Sequence, residues 1–137
     1  MKNYLTEWAT KIQYGPSSQL KVPVEIVGTR DQHMGPRWEF AKIRLSVEPA
    51  DIFDVQIGPL PKAADLEKKG YLDAAIMGLL DVLLTTESLP LRDIRVTFIE
   101  AEEHPVDSSQ MAFRHAGRDA ARNLLQAVNE HAFAPPR

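Results

Sequence analysis

Three stretches in the first half of the chain alternate apolar and polar residues with a period of two. Val22, Val24 and Ile26 alternate with Lys21, Pro23 and Glu25; Ile43, Leu45 and Val47 alternate with Lys42, Arg44 and Ser46; Phe53, Val55 and Ile57 repeat the pattern. Successive side chains of a strand point to opposite faces, so each stretch predicts a strand with one buried face. Pro23 cannot donate to a ladder and favours an edge position for the first strand. Glu48-Pro49 and Gly58-Pro59 stop the second and third. The polar segment Thr29 to Pro36, with Gly35-Pro36 at its end, predicts an exposed loop between the first two.

From Pro61 the period lengthens. Leu72, Ile76, Leu79, Leu80 and Leu83 recur at spacings of three and four, which places them on one face of a long helix near residues 63–86. Its remaining faces carry Met77, Val82 and Leu84, so the helix is expected either to lie enclosed between layers or to offer the apolar run 72–84 to another protein. Ile94, Val96 and Phe98 predict a fourth strand. Asp107-Ser108-Ser109-Gln110 reads as a capped helix start, with a helix following to about Asn129. Met111, Ala112, Ala116, Ala120, Leu124 and Val128 form its apolar stripe. Three strands, a helix, a strand and a helix describe an α+β two-layer sandwich. The expected organisation is an N-terminal extension over residues 1–19, one domain over residues 20–130 and a C-terminal tail over residues 131–137 with Pro135-Pro136.

A chain of 137 residues is the size of one ordinary domain, and 44% hydrophobic with 26% charged residues is an average globular balance. The net charge of −3 argues against coating nucleic acid through bulk charge, so any RNA contact must be local. With no cysteine, disulfides, thiolate metal sites and cysteine nucleophiles are excluded. The first 13 residues interleave Lys2, Glu7 and Lys11 with Leu5, Trp8 and Ile12, unlike a secretory signal, and a cytoplasmic protein is expected. The run Leu72 to Leu84 is interrupted by Asp73 and Asp81 and is shorter than the roughly 20 residues a membrane span needs. No GxxxxGK phosphate loop and no HExxH pair occur, so neither nucleotide hydrolysis nor a cofactor is expected. His115 and Asp119 are four apart, but two ligands without a third predict no metal site.

The second half carries a specific resemblance. Pro90-Leu91-Arg92-Asp93-Ile94-Arg95-Val96-Thr97-Phe98, followed by His104-Pro105-Val106-Asp107-Ser108-Ser109-Gln110-Met111-Ala112-Phe113, resembles the fourth domain of elongation factor G. Upstream, Lys42 to Pro49 (KIRLSVEP) is similar to the family's second strand, and Pro61-Lys62 before the long helix to its next element. The resemblance covers roughly Leu20 to Val128. It implies the two-layer α+β sandwich shared with several ribosomal proteins, with a βαβ crossover of the unusual left hand, although such crossovers are right-handed in about 98% of cases. It also implies that two loops at one end form a tip that enters the decoding region of the ribosome.

In this sequence the first such loop is Arg30 to Phe40, where Gly35, Arg37 and Phe40 match the family's pattern while Pro36, Trp38 and Ala41 replace glycines. The second is Glu100 to Pro105, where His104 matches the tip histidine and Ala101, Glu102 and Glu103 depart from the pattern. Paired carboxylates repel phosphate, so the second loop weakens the case for RNA. The resemblance makes Arg30, His33, Arg37, Trp38, Phe40 and His104 the candidate RNA contacts, with Asp107, Ser108 and Ser109 as the cap of the family's helix. Trp38 and Phe40 beside Arg37 could stack on bases or pack beneath their own loop. Arg114, Arg118 and Arg122, four apart, form a basic stripe, diluted by Asp119 and Glu130, that reads as a solvated face, although Arg114 and Arg122 match basic positions of the family's helix. Ser108, His104 and Asp107 lie close in sequence, but capping explains the serine and aspartate better than a triad does. The reading is therefore a ribosome- or RNA-associated module without GTPase or other enzymatic activity. The alternative is a protein-interaction or scaffold domain that keeps the fold without binding the ribosome.

Overall fold

In the computed structural model, residue 20 and residues 23–84 and 93–133 are described. The elements are β1 (Val24–Met34), β2 (Arg37–Pro49), β3 (Asp54–Ile57), α1 (Ala63–Lys68), α2 (Tyr71–Leu83), β4 (Ile94–Glu102) and α3 (Gln110–Phe133). They build one four-stranded sheet in the order β1-β2-β4-β3, antiparallel except for β3 beside β4. The connection from β3 through α1 and α2 to the parallel β4 is the expected βαβ unit, and β1 lies at an edge as Pro23 suggested. This is the two-layer α+β sandwich.

One face of the sheet holds the core. Ala41, Ile43, Leu45 and Val47 of β2 and Ile94, Val96 and Phe98 of β4 are buried together with Leu72, Leu79, Leu83, Phe113 and Leu124 from the helices. The opposite face is polar and its charges pair across strands: Arg44 with Glu25 and Glu100, each at 3.4 Å, and Arg95 with Asp54 at 3.2 Å and Glu48 at 3.4 Å. Of the stripe expected on the last helix, Ala112, Ala116, Ala120, Leu124 and Val128 are buried, whereas Met111 is 52% exposed. Leu72, Ile76, Leu79, Leu80 and Leu83 are likewise buried, so these side chains of the run 72–84 are spent on the core and not left for a partner.

Several boundaries differ from the sequence reading. Residues 29–34 are strand, not loop: the β1–β2 ladder continues to Met34 opposite Arg37 and closes through Gly35-Pro36, with Gly35 at φ 62°. The single helix expected over residues 63–86 is broken, because Gly70 takes φ 77° and donates its N–H to the Glu67 carbonyl at 3.0 Å, the left-handed helix ending that glycine favours. Thr85 and Thr86, Pro90 to Arg92, Lys21 and Val22, the N-terminal extension and residues 134–137 of the tail lie outside the described residues. Ile57, expected on the buried face, is 43% exposed, since β3 ends there and Gly58 turns back to donate to the Phe98 carbonyl.

Two of the three arginines of the basic stripe on the last helix, Arg114 and Arg118, form an interhelical clamp, while Arg122 is exposed. Arg114 donates to both Asp81 oxygens, at 2.7 and 2.9 Å, and Arg118 donates to Oδ2 at 3.0 Å. Hydrogen bonding from Arg114 holds the Asp81 carboxyl below its ordinary range, with Arg118 adding to the effect and partial burial opposing it. A depressed carboxyl pKa stabilises the fold above the unfolded value near about 4, and the contribution is lost as pH falls through the folded value. Asp81→Asn is therefore expected to lower stability by about 1 kcal/mol at neutral pH. Denaturant midpoints measured from pH 7 downward should show the difference from the parent shrinking below about pH 4; a difference that stays constant into acid would show that the clamp does not act through charge.

Candidate functional site

The end of the β1–β2 hairpin and the β4–α3 connection are tied together by Ser108. Its hydroxyl donates to the Phe40 carbonyl at 2.7 Å and accepts from the His104 N–H at 2.8 Å, while the Phe40 N–H donates to the Asp107 carbonyl at 3.1 Å. The helix cap itself falls on Ser109, whose Oγ accepts from the Ala112 N–H at 3.0 Å. Asp107 and Ser108 thus serve as staples and not as caps. Gln110 does not close a capping box; it donates to the Lys69 carbonyl at 3.1 Å. Ser108 Oγ is committed to backbone groups on both sides, so it does not form a nucleophile–base pair with His104.

These staples bring four rings into one cluster. His33 and Trp38 are directly opposite in the hairpin register and stack with centroids 5.4 Å apart at 12°. Phe40, two residues along the same face, meets Trp38 edge-on at 5.8 Å, and His104 arrives from the other loop at 5.5 Å. The Trp38 ring nitrogen donates to Asp31, which fixes the indole within the cluster. His104 Nδ1 lies 2.8 Å from Asp107 Oδ2. The Val106 N–H also approaches Nδ1, at 3.4 Å, so both contacts hold the ring by the same nitrogen. His33, Trp38, Phe40 and His104 are therefore assembled from two segments more than 60 residues apart in sequence, while exposed Arg37 sits at the hairpin turn.

Arg30 is elsewhere. It lies opposite Ala41, one step out of phase with Trp38, and pairs with Glu39 at 3.1 Å. Its charge contributes, after burial, to lowering the pKa of His115 on α3. Asp119 is also accounted for structurally, since its carboxylate accepts the Thr29 N–H at 2.9 Å. Among the described residues no group of three or more acidic or histidine side chains is placed to hold a metal.

The second loop is less repulsive than its sequence implies. Residues 100–102 belong to β4, not to the loop, and the β2 partners pass from Glu100 to Phe98 with Ile99 left over as a bulge. That extra residue reverses the alternation: Ala101 packs against the core, and Glu102 points to solvent. Glu103 is taken up by Lys69, whose ammonium lies 3.0 and 3.1 Å from its two oxygens. Hydrogen bonds from Lys69 to Asp65 and then to Glu103 raise the lysine pKa. Only Glu102 of the two carboxylates remains exposed, and sequence could not show this because Lys69 is 34 residues away.

Beside the ring cluster is a cleft of about 420 Å³, walled by Trp38, Phe40, Leu66 and Ala101, with Lys62 and Glu102 also contributing to its lining. Neither Lys62 nor this cleft was singled out from sequence as a site. Lys62 takes φ 57°, and it is the one non-glycine residue with positive φ among the described residues.

The family model described as elongation factor G, domain IV, matches residues 84–129. The chain is 28% identical to elongation factor G of Carsonella ruddii (strain PV) over 135 residues, covering 92% of this chain and 19% of that protein. A crystal structure of a Thermus thermophilus protein superposes with a TM-score of 0.67 at 20% identity, covering 77% of this chain and 16% of that one. The chain is thus similar to domain IV of elongation factor G and spans about a fifth of the curated relative's length. The structural likeness shows the shared fold. Among the described residues no helix is long and apolar enough to cross a membrane.

Proposed function

We propose that this chain acts as a module related to domain IV of elongation factor G, with the domain over residues 20–130 between an accessory N-terminal stretch and a short tail. It associates with the ribosome or with structured RNA through its tip, in the cytoplasm and without GTPase activity. The observation that supports this reading is the ring cluster of His33, Trp38, Phe40 and His104, held by backbone staples between the two loops that the resemblance makes the tip. Aromatic rings that keep part of their surface in solvent, as the half-buried Trp38, Phe40 and His104 and the exposed His33 do, stack on unpaired bases, and a nearby guanidinium such as Arg37 supplies the phosphate contact. Arg30, engaged with Glu39 on the other side of the hairpin, contributes less than its sequence position suggests.

Co-sedimentation with ribosomes at low and raised salt tests the proposal. Trp38→Ala is expected to weaken association about tenfold, in keeping with roughly 1–3 kcal/mol per stacked base. Arg37→Ala should weaken it and reduce the salt slope by about 1. Glu102→Gln should strengthen it at low salt by removing the exposed repulsive charge, with the gain fading as screening increases. Unchanged sedimentation of all three variants, with folding intact, would favour the protein-interaction reading instead.

A further inference from the structure

The cleft beside the ring cluster has the walls and charges of a binding site. Trp38 and Phe40 give it flat aromatic surface, Leu66 and Ala101 add apolar lining, and Lys62, Glu102 and Glu103 bring charge to it, the last of them paired with Lys69. Its volume of about 420 Å³ lies near the lower end of the roughly 300–1,000 Å³ typical of small-ligand pockets. The indole is oriented before any ligand arrives, because Asp31 holds its N–H and His33 stacks on it. Lys69 is occupied by Asp65 and Glu103, whereas no carboxylate among the described residues pairs with Lys62. Lys62 also keeps a left-handed backbone that costs an ordinary residue energy and that glycine would adopt freely. Strain of this kind persists where the surroundings impose it, often at a ligand site.

We infer that this cleft receives a single unpaired RNA nucleotide whose base carries an exocyclic amino group: the base lies against Trp38, its amino group donates to the Glu102 carboxylate, and Lys62 meets the phosphate. The inference rests on the RNA-associated reading above and adds a base preference to it. A carboxylate accepts from the amino groups of adenine, cytosine or guanine, and it has only carbonyl oxygens to meet at the corresponding position of uracil. The charges are complementary to a nucleotide, with a cation for the phosphate and an acceptor for the base, and Glu103 adds little repulsion while Lys69 neutralises it.

The test uses the full chain carrying Trp8→Phe, so that Trp38 is the remaining tryptophan and its fluorescence reports on the cleft. Pentaadenylate and pentacytidylate are expected to quench Trp38 saturably at low salt, and pentauridylate to bind about tenfold more weakly, the scale of one hydrogen bond to a charged group. Glu102→Gln should shrink that discrimination to about threefold or less, chiefly by strengthening pentauridylate, because an amide keeps an acceptor for the amino bases, can also donate to uracil carbonyls and no longer repels phosphate. Lys62→Gly should weaken all three oligonucleotides alike while raising the melting temperature, a combination that a purely structural lysine would not give. Equal binding of the three by the parent, or no quenching by any of them at millimolar concentration with the protein folded, overturns the inference and leaves the cleft to a protein side chain. Ribosome co-sedimentation is measured in parallel: if it persists without oligonucleotide quenching, the cleft assignment fails alone. Selective quenching without co-sedimentation supports the cleft and removes the ribosome.

Discussion

Gly117→Val is expected to leave the chain without a cooperative unfolding transition. A Cβ built at Gly117 would stand 2.1 Å from the Ala75 carbonyl oxygen, and one at Gly78 would stand 2.0 Å from that of Arg114. The two glycines lie on α3 and α2 respectively, so each helix presses its backbone into the gap left by the other's missing side chain. A carbonyl oxygen cannot swing away as a flexible side chain can, and the helices must separate. Separation would pull Ala75, Leu79 and Ala116 out of close packing with the rest of the core and disturb the Asp81 clamp. Overpacking of ordinary cores costs about 1–3 kcal/mol and sometimes more, and here the clash is with backbone on the main interhelical contact. Gly117→Ala should already lower stability by roughly 3 kcal/mol. Thermal melts followed by far-ultraviolet circular dichroism would decide. A Gly117→Val protein melting with the parent's midpoint would mean that the helices do not approach this closely.

The second large effect concerns Leu79, which is 1% exposed in the centre of α2. Leu79→Ala is expected to cost about 2–5 kcal/mol, from lost transfer energy and the cavity left behind. Met77→Ala, at a half-buried position on the same helix, should cost less than about 1 kcal/mol. Denaturant midpoints with an unchanged slope would report these differences as stability. If Leu79→Ala were as mild as Met77→Ala, the apolar run 72–84 would be a surface awaiting a partner and not a structural helix.

The strands were legible because their signal is local. Ile43, Leu45 and Val47, like Ile94, Val96 and Phe98, keep strict alternation, and all six are buried. The hairpin arms beyond Thr29 were not legible, since His33, Trp38 and Glu39 carry no apolar alternation there; these residues are strand because the ladder continues to the turn. The break at Gly70 could have been read from a glycine followed by a fresh helical period, but it was masked by the apolar spacing on its C-terminal side. At the tip, sequence marked Trp38, Phe40 and His104 as candidates. It could not assign Ser108 its staple, nor remove Arg30 from the cluster, because both outcomes depend on partners dozens of residues away or on which face of a strand a side chain occupies.

By itself the sequence determined the α+β composition, the faces of the central strands and of the last helix, and the similarity to domain IV of elongation factor G. The composition and the faces follow from residue spacing within a few turns or strand pairs, where periodicity maps directly onto burial; the similarity follows from the matching residues of 90–98 and 104–113. Tertiary structure alone decided the charge and shape of the tip. The bulge at Ile99 shifts the alternation of β4 by one residue, exposing Glu102 and turning Ala101 toward the core, while Lys69 neutralises Glu103 from the helical layer. Arg114 and Arg118, two of the three arginines of the basic stripe in the sequence, are consumed by Asp81. Charge becomes surface potential only after the fold has chosen its ion pairs, and those pairs join residues that no local pattern connects.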